Sequence, residues 1–216
     1  MTRTELAALI DHSALRPDVT DRDILALCDE ARQYGFYTVC INGRFVPLAA
    51  AALRGSTVRV CAVVGFPLGA ATTRSKCQET AEAVAAGAHE IDMVIAIGAL
   101  KSGQTDVVRN EIAAIKAACN GALLKVIIEA CLLTDAEKVL ACELARDAGA
   151  DFVKTSTGFS KSGATTADVA LMRRTVGNAL GVKAAGGVST YEAALAMVAA
   201  GASRIGASAS VRIVSA

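Results

Sequence analysis

Four glycines divide this 216-residue chain into similar lengths. Gly35 in Gln33-Tyr34-Gly35-Phe36, Gly87 in Ala86-Gly87-Ala88, Gly149 in Ala148-Gly149-Ala150 and Gly201 in Ala200-Gly201-Ala202 lie 52, 62 and 52 residues apart. Each ends a helix-like stretch and precedes a strand-like one, where glycine supplies the left-handed residue past a helix end. A period of about 50–60 residues is two βα units, so these glycines mark every second strand. Strands are expected at Ile10–Ser13, Tyr37–Asn42, Thr57–Val64, Glu90–Ile95, Leu123–Glu129, Asp151–Thr155, Val182–Ala185 and Ser203–Gly206. Helices fill the intervals, two of them opening on capping boxes at Thr134-x-x-Glu137 and Ser189-x-x-Glu192. The alternation predicts an α/β fold: a single (β/α)8 barrel of parallel strands over residues 1–216, with a short N-terminal helix. An open, doubly wound sheet is the competing architecture. It gives no reason for a repeat that runs the whole length of the chain.

Composition fits that reading. Apolar residues are 53% of the chain and aromatics only 4%, so the core must be built from Ala, Val, Ile and Leu. Parallel strands buried on both faces have this character. Lys plus Arg (22) nearly cancels Asp plus Glu (21) with no basic tract, so neither nucleic acid nor an anionic membrane is expected as a partner. The seven cysteines are scattered, odd in number and without a C-x-x-C pair. Reduced thiols and a cytoplasmic location are therefore expected. The apolar run after Thr2-Arg3-Thr4-Glu5 is broken at Asp11, which does not read as a secretory signal.

Two lysines carry the chemistry. Lys154 in Phe152-Val153-Lys154-Thr155-Ser156-Thr157-Gly158 and Lys183 in Gly181-Val182-Lys183-Ala184-Ala185-Gly186-Gly187 each lie in an apolar strand followed by small residues. Lysine is rarely buried unless it is paired or has a task, and a lone strand lysine commonly snorkels or pairs. Two held together make one easier to deprotonate, and a neutral amine is a nucleophile for carbonyl groups. In a barrel, Asp92, Lys154 and Lys183 would converge near the C-terminal ends of strands four, six and seven. Gly186-Gly187 and Gly206-Ala207-Ser208 follow strands seven and eight, where such barrels commonly hold phosphate. With only His12 and His89, no histidine-rich metal site is possible, and no P-loop or G-x-S-x-G elbow occurs.

From Lys154-Thr155-Ser156-Thr157-Gly158 outward the chain resembles the deoxyribose-phosphate aldolases. Ile10-Asp11-His12-Ser13, Val39-Cys40-Ile41-Asn42, Val64-Gly65-Phe66-Pro67-Leu68-Gly69, Glu90-Ile91-Asp92-Met93-Val94 and Lys125-Val126-Ile127-Ile128-Glu129 correspond to the family's motifs in order. The resemblance implies a barrel that uses no metal or cofactor. It would reversibly cleave 2-deoxy-D-ribose 5-phosphate to D-glyceraldehyde 3-phosphate and acetaldehyde. Lys154 matches the Schiff-base lysine, Lys183 the second lysine whose charge favours a neutral Lys154, and Asp92 the water-assisted proton shuttle. Asp11 matches a residue that contacts substrate hydroxyls, and Cys40 a cysteine near the pocket. Thr157, Gly158, Gly186, Gly187, Gly206 and Ser208 fall where the substrate and its phosphate are held. A homodimer is the family's habit. Lys125 is expected to pair with Glu129 or Asp92.

Three positions depart from the family's common pattern: Ser189 stands where arginine is frequent, Ala209 where serine or glycine is frequent, and Phe159 where some members have lysine. The first two remove a charge or hydrogen bond from the phosphate loops, although Lys161 and Ser210 could compensate. The expected outcome is a reduced preference for phosphorylated over unphosphorylated sugar, read as the ratio of kcat/KM for deoxyribose with and without its 5-phosphate. A very large preference for the ester would reject it.

Overall fold

The computed structural model describes residues 1–215. Eight parallel strands, β1 (Ile10–Ala14), β2 (Thr38–Asn42), β3 (Arg59–Val64), β4 (Glu90–Val94), β5 (Leu123–Ile127), β6 (Phe152–Lys154), β7 (Gly181–Ala185) and β8 (Arg204–Ala207), pair in sequence order, and β8 returns to β1. The sheet is a closed barrel, as expected, and the open alternative is excluded. Helices alternate with the strands: α1 (Arg3–Ala7), α2 (Asp21–Tyr34), α3 (Val46–Ala52), α4 (Thr73–Ala85), α5 (Ile97–Lys101), α6 (Thr105–Ala118), α7 (Asp135–Asp147), α8 (Thr166–Val176), α9 (Tyr191–Ala199) and α10 (Ser210–Ser215).

The glycine repeat does what its spacing implied. Gly35, Gly87, Gly149 and Gly201 all have positive φ just past the ends of α2, α4, α7 and α9. The box at Thr134 and Glu137 is formed in both directions, at 3.3 and 2.7 Å. The second box, expected at Ser189 and Glu192, does not form. Helix α9 starts at Tyr191, so Thr190 is the cap and its hydroxyl accepts from the Ala193 N–H at 3.1 Å. Ser189 lies outside the helix, and its carbonyl accepts from Arg212 Nε at 3.0 Å.

Alternation along each strand sorts the side chains into two environments. One set, including Ile41, Val60, Ile91, Met93, Leu124, Val126, Val182 and Ile205, is fully buried in the large apolar cluster shared with the helices. Burying each Leu, Ile or Val contributes about 1.5–3 kcal/mol, so this layer supplies the bulk of the stability. The other set points into the barrel. There the apolar cluster is only Cys40, Cys61 and Val63, and the remaining space is filled by charged residues. Branched apolar residues dominate most barrel interiors. Here an ionic network replaces much of that packing.

The loop after β3 locks onto the end of β4. Gly69, at φ +69°, donates to the Gly65 carbonyl at 2.8 Å. A Cβ on Gly69 would lie 2.1 Å from the Ile95 carbonyl oxygen. The substitution Gly69→Ala combines left-handed strain with a backbone collision and is expected to cost about 2–4 kcal/mol in urea unfolding. A loss below about 1 kcal/mol would contradict this contact.

Candidate active site

The site is built on β4. Glu90 and Asp92 are two residues apart and both point into the barrel, where neither is exposed to solvent. Asp92 collects three ammonium groups. Lys154 and Lys183 donate to its Oδ2 at 2.7 and 2.8 Å, and Lys125 donates to Oδ1 at 2.9 Å. Lys154 and Lys183 are direct register partners across β6 and β7, which is how two residues distant in sequence meet on one oxygen.

Below Asp92 the network continues. Lys183 also pairs with Asp11, and Arg204 binds Asp11 at 2.8 Å and Glu90 at 3.0 Å. Lys125 binds Glu90 at 2.5 Å and lies 3.7 Å from Asp11. It does not pair with Glu129, because Glu129 lies beyond the strand end in a left-handed conformation and bonds Thr157 instead. Arg204 stacks over the Tyr37 ring at 3.8 Å, which closes the bottom of the cluster. Three carboxylates thus face four cations.

Burial alone would discharge these groups, yet the partners outweigh it. The Asp92 carboxyl is penalised by burial but held well below the usual range by Lys125, Lys154 and Lys183. Burial likewise opposes charge on Lys183, while Asp11 and Asp92 hold its pKa above the ordinary lysine value. Lys125 follows the same pattern, chiefly through Asp92. Asp11 is lowered against burial by Lys183, Lys125 and Arg204. The Cys40 thiol is brought down to about 7, first by its hydrogen bond with Cys61, against burial and with help from Lys183. Cys40, Cys61 and Asp92 are close enough to ligate a metal ion. The three ammonium groups already on Asp92 would repel one, so the donor set does not suit a cation.

Above the network a cavity of about 360 Å³ opens at the C-terminal ends of the strands. Lys154, Thr157, Gly158, Gly186, Gly187, Gly206 and Ser208 line it. Of the cluster's four cations, Lys154 alone reaches it. Lys183, Asp92, Asp11 and Cys40 are fully buried beneath the lining. Among the described residues, the N–H groups of Gly158, Gly187 and Ser208 meet no protein acceptor, which leaves them available to an anion. Gly186, at φ +86°, packs so closely on Gly163 that a Cβ would come within 2.9 Å of its Cα.

The departures can now be placed. Ser189 and Ala209 both line the cavity. Ser210 cannot compensate for them, because its hydroxyl donates to the Ala207 carbonyl at 2.9 Å and meets His12 Nδ1 at 3.0 Å. Lys161 is not among the lining residues, whereas Arg16, which sequence reasoning missed, is. His12 and His89 have structural bonds, His12 to Glu30 at 2.7 Å and His89 accepting from the Val60 N–H at 3.2 Å. Glu90 and Arg204 were also missed. Their signals were present: carboxylates at i and i+2 on one strand, and an arginine inside an apolar strand.

A family model described as "DeoC/LacD family aldolase" matches residues 6–211. The chain is 64% identical to a deoxyribose-phosphate aldolase of Rhodospirillum rubrum over 97% of this chain and 88% of that one. It is 56% identical to one of Actinobacillus succinogenes over 99% and 96%. Among solved structures, the tetrameric deoxyribose phosphate aldolase of Aeropyrum pernix superposes with a TM-score of 0.92 at 35% identity, covering 99% of this chain and 91% of that one. An aldolase designated QR15 gives 0.94 at 38% identity, covering 97% and 94%. On the strength of its barrel, its buried lysines and these matches along nearly its whole length, the chain belongs to the DeoC/LacD family of aldolases.

Proposed function

We propose that this protein reversibly cleaves 2-deoxy-D-ribose 5-phosphate to D-glyceraldehyde 3-phosphate and acetaldehyde through an imine on Lys154. One observation carries the assignment of roles: of the cations gathered around Asp92, only Lys154 lines the cavity. The network balances at three against three when one of its four cations is neutral. A neutral amine at the cavity floor is the group that can attack a carbonyl.

The steps follow from that placement. The Lys154 amine adds to the C1 aldehyde of the open-chain sugar, and loss of water leaves an iminium. A base takes the proton from the C3 hydroxyl as the C2–C3 bonding pair moves toward the iminium nitrogen. C3 departs as the aldehyde of D-glyceraldehyde 3-phosphate, and an enamine of acetaldehyde stays on Lys154. Protonation of the enamine carbon and hydrolysis release acetaldehyde and the free amine. Asp92, acting through a water molecule, is proposed as the proton relay, since its carboxylate is kept ionised and adjoins Lys154. Lys183 is proposed as the fixed charge of the site, with Asp11 as its anchor. The free N–H groups of Gly158, Gly187 and Ser208, with Gly186 and Gly206 giving backbone room, are proposed to hold the phosphate, and Thr157 to shape their edge. Cys40 is proposed as a packing and hydrogen-bonding group beside Asp92. No helix among the described residues is long and apolar enough to cross a membrane, and a cytoplasmic homodimer is proposed.

A coupled assay for acetaldehyde release tests the reading. The wild type is expected to turn over the phosphate ester, and Lys154→Met to fall to background. The same substitution removes the unbalanced cation, so its melting temperature should equal or exceed that of the wild type. Lys183→Met should lose about a hundredfold or more in kcat and melt lower, because Asp11 and Asp92 each lose a partner. Turnover by Lys154→Met, or binding of the ester without cleavage by the wild type, would overturn the proposal.

A further inference from the structure

Glu129 is buried, only 2% exposed, and stands two residues past the end of the barrel strand that carries Lys125. Its backbone is left-handed at φ +53° and ψ +62°, a conformation that non-glycine residues rarely adopt and that proteins retain at positions fixed by their surroundings. Both sides of it are tied to the Lys154 segment. The Ile128 N–H donates to the Lys154 carbonyl at 3.0 Å, and the Ala130 N–H to the Thr155 carbonyl at 2.8 Å. The side chain then reaches across to Thr157. Oε1 accepts from the Thr157 N–H at 3.1 Å, and Oε2 meets the Thr157 hydroxyl at 2.5 Å.

Thr157 Oγ1 accepts from the Phe159 N–H at 3.1 Å, so its own proton is free to go to Glu129. Both Glu129 oxygens thus accept from Thr157, one from its N–H and one from its hydroxyl. Among the described residues Glu129 forms no ion pair, unlike Asp11, Glu90, Asp92 and Glu111, the other buried acids of the fold. A buried acidic side chain whose partners are one threonine N–H and one hydroxyl is costly to keep. Its product is a shaped turn. The N–H groups of Thr157 and Phe159 are both consumed inside the protein, while that of Gly158 between them is not. Gly158, at φ +86°, lines the cavity.

We infer that Glu129 is the positioning residue that folds the Thr157–Phe159 turn so that Gly158 offers its N–H to the phosphate of the substrate. The inference rests on the proposed aldolase reading for the identity of the ligand, and on the hydrogen-bond pattern for the role. Glu129 does not touch the reacting carbons; it acts through Thr157.

The test compares kcat/KM for 2-deoxyribose 5-phosphate and for 2-deoxyribose. In Glu129→Ala the ratio of ester to unphosphorylated sugar should fall about tenfold, the effect of one charge-assisted hydrogen bond, mostly through KM for the ester. Glu129→Gln keeps one acceptor and should fall less. Thr157→Val should reproduce the loss, Thr157→Ser should restore the wild-type ratio, and the double variant Glu129→Ala/Thr157→Val should be no worse than either single change. An unchanged ratio in Glu129→Ala, an equal loss on both sugars, or additive effects in the double variant would overturn the inference. If Glu129→Ala fails to fold, Thr157→Val and Thr157→Ser decide the matter alone. Calorimetric titration with inorganic phosphate should show the same weakening. That readout needs no turnover, so it separates failure of this inference from failure of the aldolase reading.

Discussion

The carboxylate of Asp92 is the interaction on which the site depends. Three ammonium groups from β5, β6 and β7 converge on its two oxygens. The shared carboxylate makes three buried lysines tolerable to one another inside one barrel. Removing a doubly paired member of such a buried cluster, such as Lys183, typically costs about 3–5 kcal/mol, because the charges left behind lose their compensation. Asp11 and Glu90 extend the lattice downward to Arg204, so that Lys183 and Lys125 are each held by at least two carboxylates. Lys154 pairs with Asp92 alone and reaches the cavity. That asymmetry separates the nucleophile from the charges around it.

The fold divides its labour by strand alternation. Outward-facing Ile, Val and Leu bind the helices to the barrel and supply stability. Inward-facing residues give up apolar packing to hold charge. Such an exchange is the kind of stability sacrifice proteins make at functional sites. The C-terminal loops add a second division: backbone N–H groups are either spent within the protein, as at Thr157 and Phe159, or left open to the cavity, as at Gly158.

Much of this was legible in the residues. The glycine spacing gave the barrel, because a left-handed residue is needed past each of those helix ends. Strand alternation and two strand lysines pointed to one pocket. The motifs around Lys154 pointed to the chemistry. What stayed hidden depends on geometry that spacing does not encode. Ser189 looked like a helix cap, but Thr190 offers an equivalent hydroxyl one residue nearer the helix. Lys125 is expected to pair with Glu129 or Asp92; it pairs with Asp92, because β5 ends at Ile127 and Glu129 beyond it bonds Thr157. Ser210 looked available to a phosphate, but its hydroxyl is occupied by Ala207 and His12. Asp11 and Cys40 lie beneath the cavity lining rather than on it, because the second residue of β1 and the middle residue of β2 sit deeper in the barrel than residues at its C-terminal rim.

The central claim is that Lys154, and not its register partner Lys183, forms the covalent bond with substrate. Incubation with acetaldehyde and borohydride, followed by peptide mass spectrometry, reads it directly. The account predicts a single ethylated lysine at position 154. An adduct on Lys183, or no adduct on either lysine, would contradict it.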